Sequence, residues 1–157
     1  MSSAYITEFV GTFILSMVGA LTKGDPLAIG GALGALIYAG AHTSGGHYNG
    51  CVTFGLWLDG AIKPRFAVGY LGSQIAGSLC AGFLARAFRG QSVVLAPAPE
   101  LHPALALGLE SLLSFALVWI AMHVTSDKRA AGNSYYGFAI GVTVYAAITA
   151  GKPWGCG

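Results

Sequence analysis

Thr43-Ser-Gly-Gly-His-Tyr-Asn-Gly-Cys-Val-Thr-Phe-Gly55 lies between a long apolar run and the short apolar run Leu56-Trp-Leu58, yet it is rich in glycine and polar side chains. Hydrophobic residues make up 55% of the 157 residues and charged residues 9%, with a mean hydropathy of +0.67. A soluble domain carries about 25% charged residues, so the composition is that of an integral membrane protein. In hydrocarbon, irregular backbone survives only where protein buries it or water lines it. The stretch is therefore predicted to dip into a helical bundle, present backbone carbonyls, and restart as a short helix from about Gly50 towards Leu58. Asn49 suits the cap of that helix, because its side chain can satisfy orphan N–H groups. The positive dipole end of the helix would then lie deep in the membrane.

The rest of the chain reads as an all-α, polytopic bundle of about five spans around this re-entrant half-helix. The first span covers about 4–21 and contains Glu8. An ionisable residue inside a span is costly and usually faces the bundle. Glu8 either anchors the dipping loop by accepting hydrogen bonds or sits solvated near the interface. The second span, about 27–41, is short for a full crossing and has Gly30, Gly31, Gly34 and Gly40 as close-contact positions. The third covers about 66–88, with Gln74 placed to bond across helices. Pro97, Pro99 and Pro103 make 90–103 a loop, in which His102 is expected to be solvated. The fourth and fifth spans are about 104–124, containing Glu110, and about 135–150.

An internal repeat joins these spans. Glu8-Phe-Val-Gly-Thr-Phe-Ile-Leu15 shares its Glu, its hydroxyl-Phe step and its final Leu with Glu110-Ser-Leu-Leu-Ser-Phe-Ala-Leu117, and Ala28-Ile-Gly30 matches Ala139-Ile-Gly141. Three spans separate the copies, so the second must run opposite to the first, with a working site between them. One unit over 1–157 then divides into a first repeat, 1–103, and a partial second repeat, 104–157. Charge does not orient it: Lys63, Arg65, Lys128 and Arg129 on one side balance Lys23, Arg86, Arg89 and Lys152 on the other, a tie under the positive-inside rule. Cys51, Cys80 and Cys156 have no metal-binding spacing and no CxxC pair, which argues against a disulfide framework. The N-terminus has no basic region of the signal-peptide type. Paired carboxylates, a metal cluster, a nucleophile elbow and a P-loop are all missing, so neither an enzyme nor a cofactor is expected. The net charge of +2 carries no nucleic-acid footprint.

Ser44-Gly-Gly-His-Tyr-Asn49 followed by Val52-Thr-Phe-Gly55 resembles the first pore loop of the aquaporin and aquaglyceroporin (major intrinsic protein) family, which reads Ser-Gly-x-His-x-Asn-Pro-Ala-Val-Thr. Tyr70-Leu-Gly-Ser-Gln-Ile-Ala-Gly77 is similar to the family's Tyr-x-x-x-Gln-x-x-Gly pattern. Gly50 and Cys51 replace Pro and Ala. Proline is preorganised for the first helical turn and glycine is not, so Gly50 should leave the half-helix start looser. The Cys51 thiol either lines the path or is buried and inert, the usual state of a free cysteine.

The resemblance implies two half-helices meeting at mid-membrane. Their capping asparagines donate hydrogen bonds to passing solute, loop carbonyls accept them, and the paired positive helix ends oppose cations. Asn49 matches the first asparagine and His47 the loop histidine, with Glu8 as its plausible partner and Glu110 as the repeat mate of Glu8. Counting along the matched segments places Ile29 and Ile148 at an outer constriction, which would be apolar and wide; otherwise both are ordinary lipid or core contacts. Gly155-Cys-Gly157 is similar to the run before the family's second Asn-Pro-Ala motif, which would put Cys156 at the same constriction. That motif, its half-helix and a sixth span are not among these residues, so the chain is expected to be incomplete. The function implied is passive passage of water or small uncharged, glycerol-like solutes across a lipid bilayer by a homotetramer. The alternative is a truncated or degenerate, non-conducting homologue that acts by associating with other membrane subunits.

Overall fold

The computed structural model describes residues 2–92 and 96–157, and the described residues form six α-helices. These are α1 (Ser2–Leu21), α2 (Pro26–Ser44), α3 (Gly50–Leu58), α4 (Pro64–Arg89), α5 (Pro103–Thr125) and α6 (Tyr136–Gly151), with short 3-10 turns at Lys128–Ala130 and Lys152–Trp154. Four of them, α1, α2, α4 and α5, are long and apolar enough to cross a membrane. The nine residues of α3 extend about 13 Å at 1.5 Å per residue, less than half of a hydrocarbon core about 30 Å thick.

The ends of these helices follow from local chemistry. Proline opens α2, α4 and α5, where its missing N–H costs nothing. Asp25 caps α2 by accepting from Ala28 N at 2.8 Å. His102, which the sequence places in solvent, is exposed but also caps α5, its Nδ1 accepting from Ala104 N at 3.2 Å. Between α5 and α6 the Arg129 side chain and backbone N–H bond Asp127 and hold its carboxyl down to about 2.

Glycines set the helix crossings. A Cβ on Gly30 would come within 2.5 Å of Gly141 O, and one on Gly34 within 3.1 Å of Gly137 O. Small residues four apart on each helix thus let the α2 and α6 backbones touch, and the pairing order makes the two helices antiparallel. Gly31, expected to share this role, has nothing within 4 Å of its Cβ direction. On the other side, Gly77 of α4 lies against the Phe9 backbone, Gly69 against the Tyr5 ring, and Arg89 donates to Ala20 O. That order runs α1 and α4 in the same direction. The central core joins Leu33 and Ile37 of α2, Val52 and Leu56 of α3, Leu117 and Ala121 of α5, and Ile140 of α6. Large apolar side chains face outward: Phe83 is 76% and Leu107 70% exposed. In water this would drive aggregation; in lipid it is the expected outer surface.

Replacing Gly141 with Val should force the α2–α6 crossing apart at a cost of about 1–3 kcal/mol or more. It should appear as a lower Tm in detergent, whereas Gly31→Ala, which meets open space inside a helix, should not lower Tm.

Candidate functional site

After α2 the chain reverses through a run of left-handed residues: Gly45 (φ 88°), Gly46 (φ 65°) and Tyr48 (φ 47°). Glycine takes such values without strain. Tyr48 does not, and is held by its surroundings. Asn49 is extended (φ −149°), and its Oδ1 accepts from Cys51 N at 2.8 Å and Val52 N at 3.3 Å. With its oxygen committed to the cap, the Asn49 Nδ2 finds no protein acceptor among the described residues.

The loop hangs on Glu8, which is fully buried. Its Oε1 accepts from Ser44 Oγ at 2.7 Å and His47 N at 3.0 Å; its Oε2 accepts from Tyr48 N at 2.7 Å and Gln74 Nε2 at 2.9 Å. A buried carboxylate is tolerable only when its oxygens are bonded in this way. Gln74 Nε2 also donates to Thr53 Oγ1 at 2.9 Å, and Thr53 Oγ1 donates to Asn49 O at 3.0 Å. The Thr53 hydroxyl has only one proton. The contact of His47 Nδ1 with Thr53 Oγ1 at 3.1 Å is therefore donated by the ring, which leaves Nε2 of a neutral His47 as an acceptor. Tyr70 OH donates to Ser44 O at 2.6 Å.

Two spaces flank the loop. One is a narrow cavity of about 20 Å3, bordered by Gly45, Gly46, His47, Asn49 and Thr125 and otherwise by apolar side chains such as Leu33, Ile37 and Ile140. It has room for about one water. The other is an open cleft of about 400 Å3 between α1 and α4, bordered by Thr12, Ser16, Asn49, Gly50, Gln74 and Ser78. Among the described residues, Thr12 Oγ1 and Gln74 Oε1 are the two buried side-chain polar atoms without a partner, and both residues border this cleft. Both amide protons of Gln74 are already engaged, so its remaining oxygen can only accept.

Glu110, the expected repeat mate of Glu8, makes one matching contact: its Oε1 accepts from Gly157 N at 2.9 Å, as Glu8 Oε1 accepts from His47 N. Cys156 is buried, its thiol 3.6 Å from Trp154 O. Ile29 is half-buried and lies beside Gly19 of α1; Ile148 is half-buried beneath Gly157. Ile29, Ile148 and Cys156 border neither the cavity nor the cleft. Cys51 is exposed at the start of α3 and borders neither. Gly50 borders the cleft, and a Cβ there would meet Leu71 Cδ2 at an ordinary 3.4 Å. Ser44, Thr53, Tyr48 and Tyr70 join the site without having been singled out by the sequence pattern. Two of them carried a local signal: Thr53 lies one turn after Asn49, where it closes the cap, and Tyr70 one turn before Gln74 on the same face of α4.

Glu8→Gln would turn an N–H2 towards two of the four donors, stranding each at about 1–3 kcal/mol, a loss readable in thermal unfolding. Gly50→Pro should act oppositely: it fits the first helical position and restricts the unfolded chain, raising stability by about 0.4–1 kcal/mol.

The profile of the family described as major intrinsic protein matches residues 1–157. Glycerol uptake facilitator protein-like 6 of Lactiplantibacillus plantarum is 36% identical over 155 residues, covering 89% of this chain and 71% of its own length. Aquaporin PIP1-2 of Musa acuminata is 32% identical over 157 residues, covering 84% and 60%. Aquaporin PIP1-6 of Zea mays is 33% identical over 155 residues, covering 84% and 52%. The chain thus spans little more than half the length of these plant relatives.

Proposed function

Because this chain belongs to the major intrinsic protein family, we propose that the Asn49 loop is the midpoint of a passive path for water and small uncharged solutes. The family's members are integral, multi-pass membrane channels rather than enzymes. The observation that carries the reading is the division of labour within one side chain. Asn49 Oδ1 holds the first turn of α3, which leaves its two Nδ2 protons for a passing oxygen. His47 Nε2 supplies an acceptor beside it, and both residues border the cavity. Among the described residues no charged side chain borders that cavity, and the positive end of α3 opposes a cation there. A largely apolar wall with a few polar groups lets a neutral solute bind weakly enough to leave.

The finer elements belong to the same proposal. Glu8 anchors the loop, and Glu110 plays that part in the second repeat. Ile29, Ile148 and Cys156 form an apolar constriction at one mouth, wide enough for glycerol-like solutes as well as water, and the assembly is a homotetramer. The names of the bacterial and plant relatives support both solute classes. A second reading, a non-conducting homologue acting through other subunits, is favoured by the cleft. Thr12 Oγ1 and Gln74 Oε1 beside it are buried without a partner among the described residues, and unsatisfied polar groups in a membrane protein call for a partner from another element.

Vesicle swelling separates the two. The chain in proteoliposomes should pass water and glycerol faster than empty vesicles, and Leu33→Trp, which fills the cavity, should remove at least about nine-tenths of that flux by blocking the path beside Asn49. Flux equal to that of empty vesicles, or undiminished by Leu33→Trp, would favour the non-conducting reading.

A further inference from the structure

We propose that Tyr48 is the positioning residue for Asn49, and that Gly11 and Gly40 form the socket that holds it. The functional weight of this inference rests on the reading of Asn49 as a solute donor; its structural content does not require conduction.

Tyr48 has a backbone conformation that non-glycine residues rarely adopt, at φ 47°, so contacts must fix it there. Three do. Its N–H donates to Glu8 Oε2 at 2.7 Å, tying it to α1. Its phenol donates to Leu36 O at 3.1 Å, tying it to α2. Its ring, 4% exposed, fills the gap between those helices. The three atoms nearest a Cβ built on Gly11 all belong to the Tyr48 ring, and the nearest to one built on Gly40 is the Tyr48 phenol oxygen. Both distances are too short for real atoms to share the space. The two glycines are therefore a fitted recess, not spare flexibility: any larger residue at either position expels the ring.

The residue after Tyr48 is the cap of α3. Gly50, at the first helical position, does little to preorganise that cap. With backbone, ring and hydroxyl of Tyr48 fixed on two helices, the direction in which the chain enters Asn49 is set before the half-helix begins. Tyr48 also borders the cleft and packs in the core cluster with Leu33 and Ile37, while Asn49, the residue it positions, borders both the cleft and the cavity.

The test is amide hydrogen exchange of the full chain in lipid nanodiscs. Tyr48→Ala should speed exchange at Cys51, Val52 and Thr53 by about tenfold or more, as local opening no longer meets a fixed cap. Exchange around the Gly30–Gly141 crossing should not change. Tyr48→Phe keeps the ring and should stay within about twofold of the natural chain at these amides. Gly11→Ala should reproduce the Tyr48→Ala effect, and the double variant should exchange no faster than Tyr48→Ala alone, the non-additivity of two parts of one contact. Unchanged exchange at residues 51–53 in Tyr48→Ala, an equal rise at the Gly30–Gly141 crossing, or additive effects in the double variant would overturn the proposal. If the natural chain passes no solute, the channel reading fails while this measurement still decides the role of Tyr48.

Discussion

A single carboxylate inside the bundle determines the shape of this protein's centre. Glu8 accepts hydrogen bonds from two backbone N–H groups of the re-entrant loop, the Ser44 hydroxyl and the Gln74 amide. Non-helical backbone at membrane depth has no water to turn to. The carboxylate supplies the acceptors that lipid cannot, and the loop supplies the donors that make a buried negative charge tolerable. Each side of that exchange is untenable alone. The reversal at Gly45 and Gly46 and the entry into α3 at Asn49 both depend on this one set of bonds.

Around that centre the helices are arranged by close approach rather than by bulk. The α2 and α6 backbones meet at paired glycines, and α4 meets α1 at Gly77. These contacts leave little room for rearrangement, which suits a fold that must keep a polar loop suspended between helices. The contacts of Glu8 with His47 N and of Glu110 with Gly157 N match, as the expected inverted repeat would have them. At Glu8 the contact belongs to the loop that starts α3; at Glu110 it involves Gly157 itself.

Much of the fold was legible in the sequence because hydropathy and the misplaced polar stretch are one-dimensional signals. The spans, the short α3 and the Asn49 cap follow from them. The end of α2 was not: the helix runs on to Ser44, past the expected end near Ala41, because the Ser44 hydroxyl finds a buried acceptor that only another helix provides. Gly31 looked equivalent to Gly30 by composition, but it faces open space, and only the crossing geometry separates the two. The Tyr48 recess needs two helices at a fixed distance, which no periodicity encodes. The same limit applies to Ile29 and Ile148, whose placement depends on relative helix rotation and which lie apart from the cavity.

Whether the loop held by Glu8 turns a polar face towards a solute path is tested most directly by high-resolution density for the chain in a lipid environment. An ordered water is expected in the cavity within hydrogen-bond distance of Asn49 Nδ2, with His47 Nε2 accepting from the same or an adjacent water. An Asn49 amide turned towards lipid, or a cavity free of water while Glu8 still holds the loop, would contradict it.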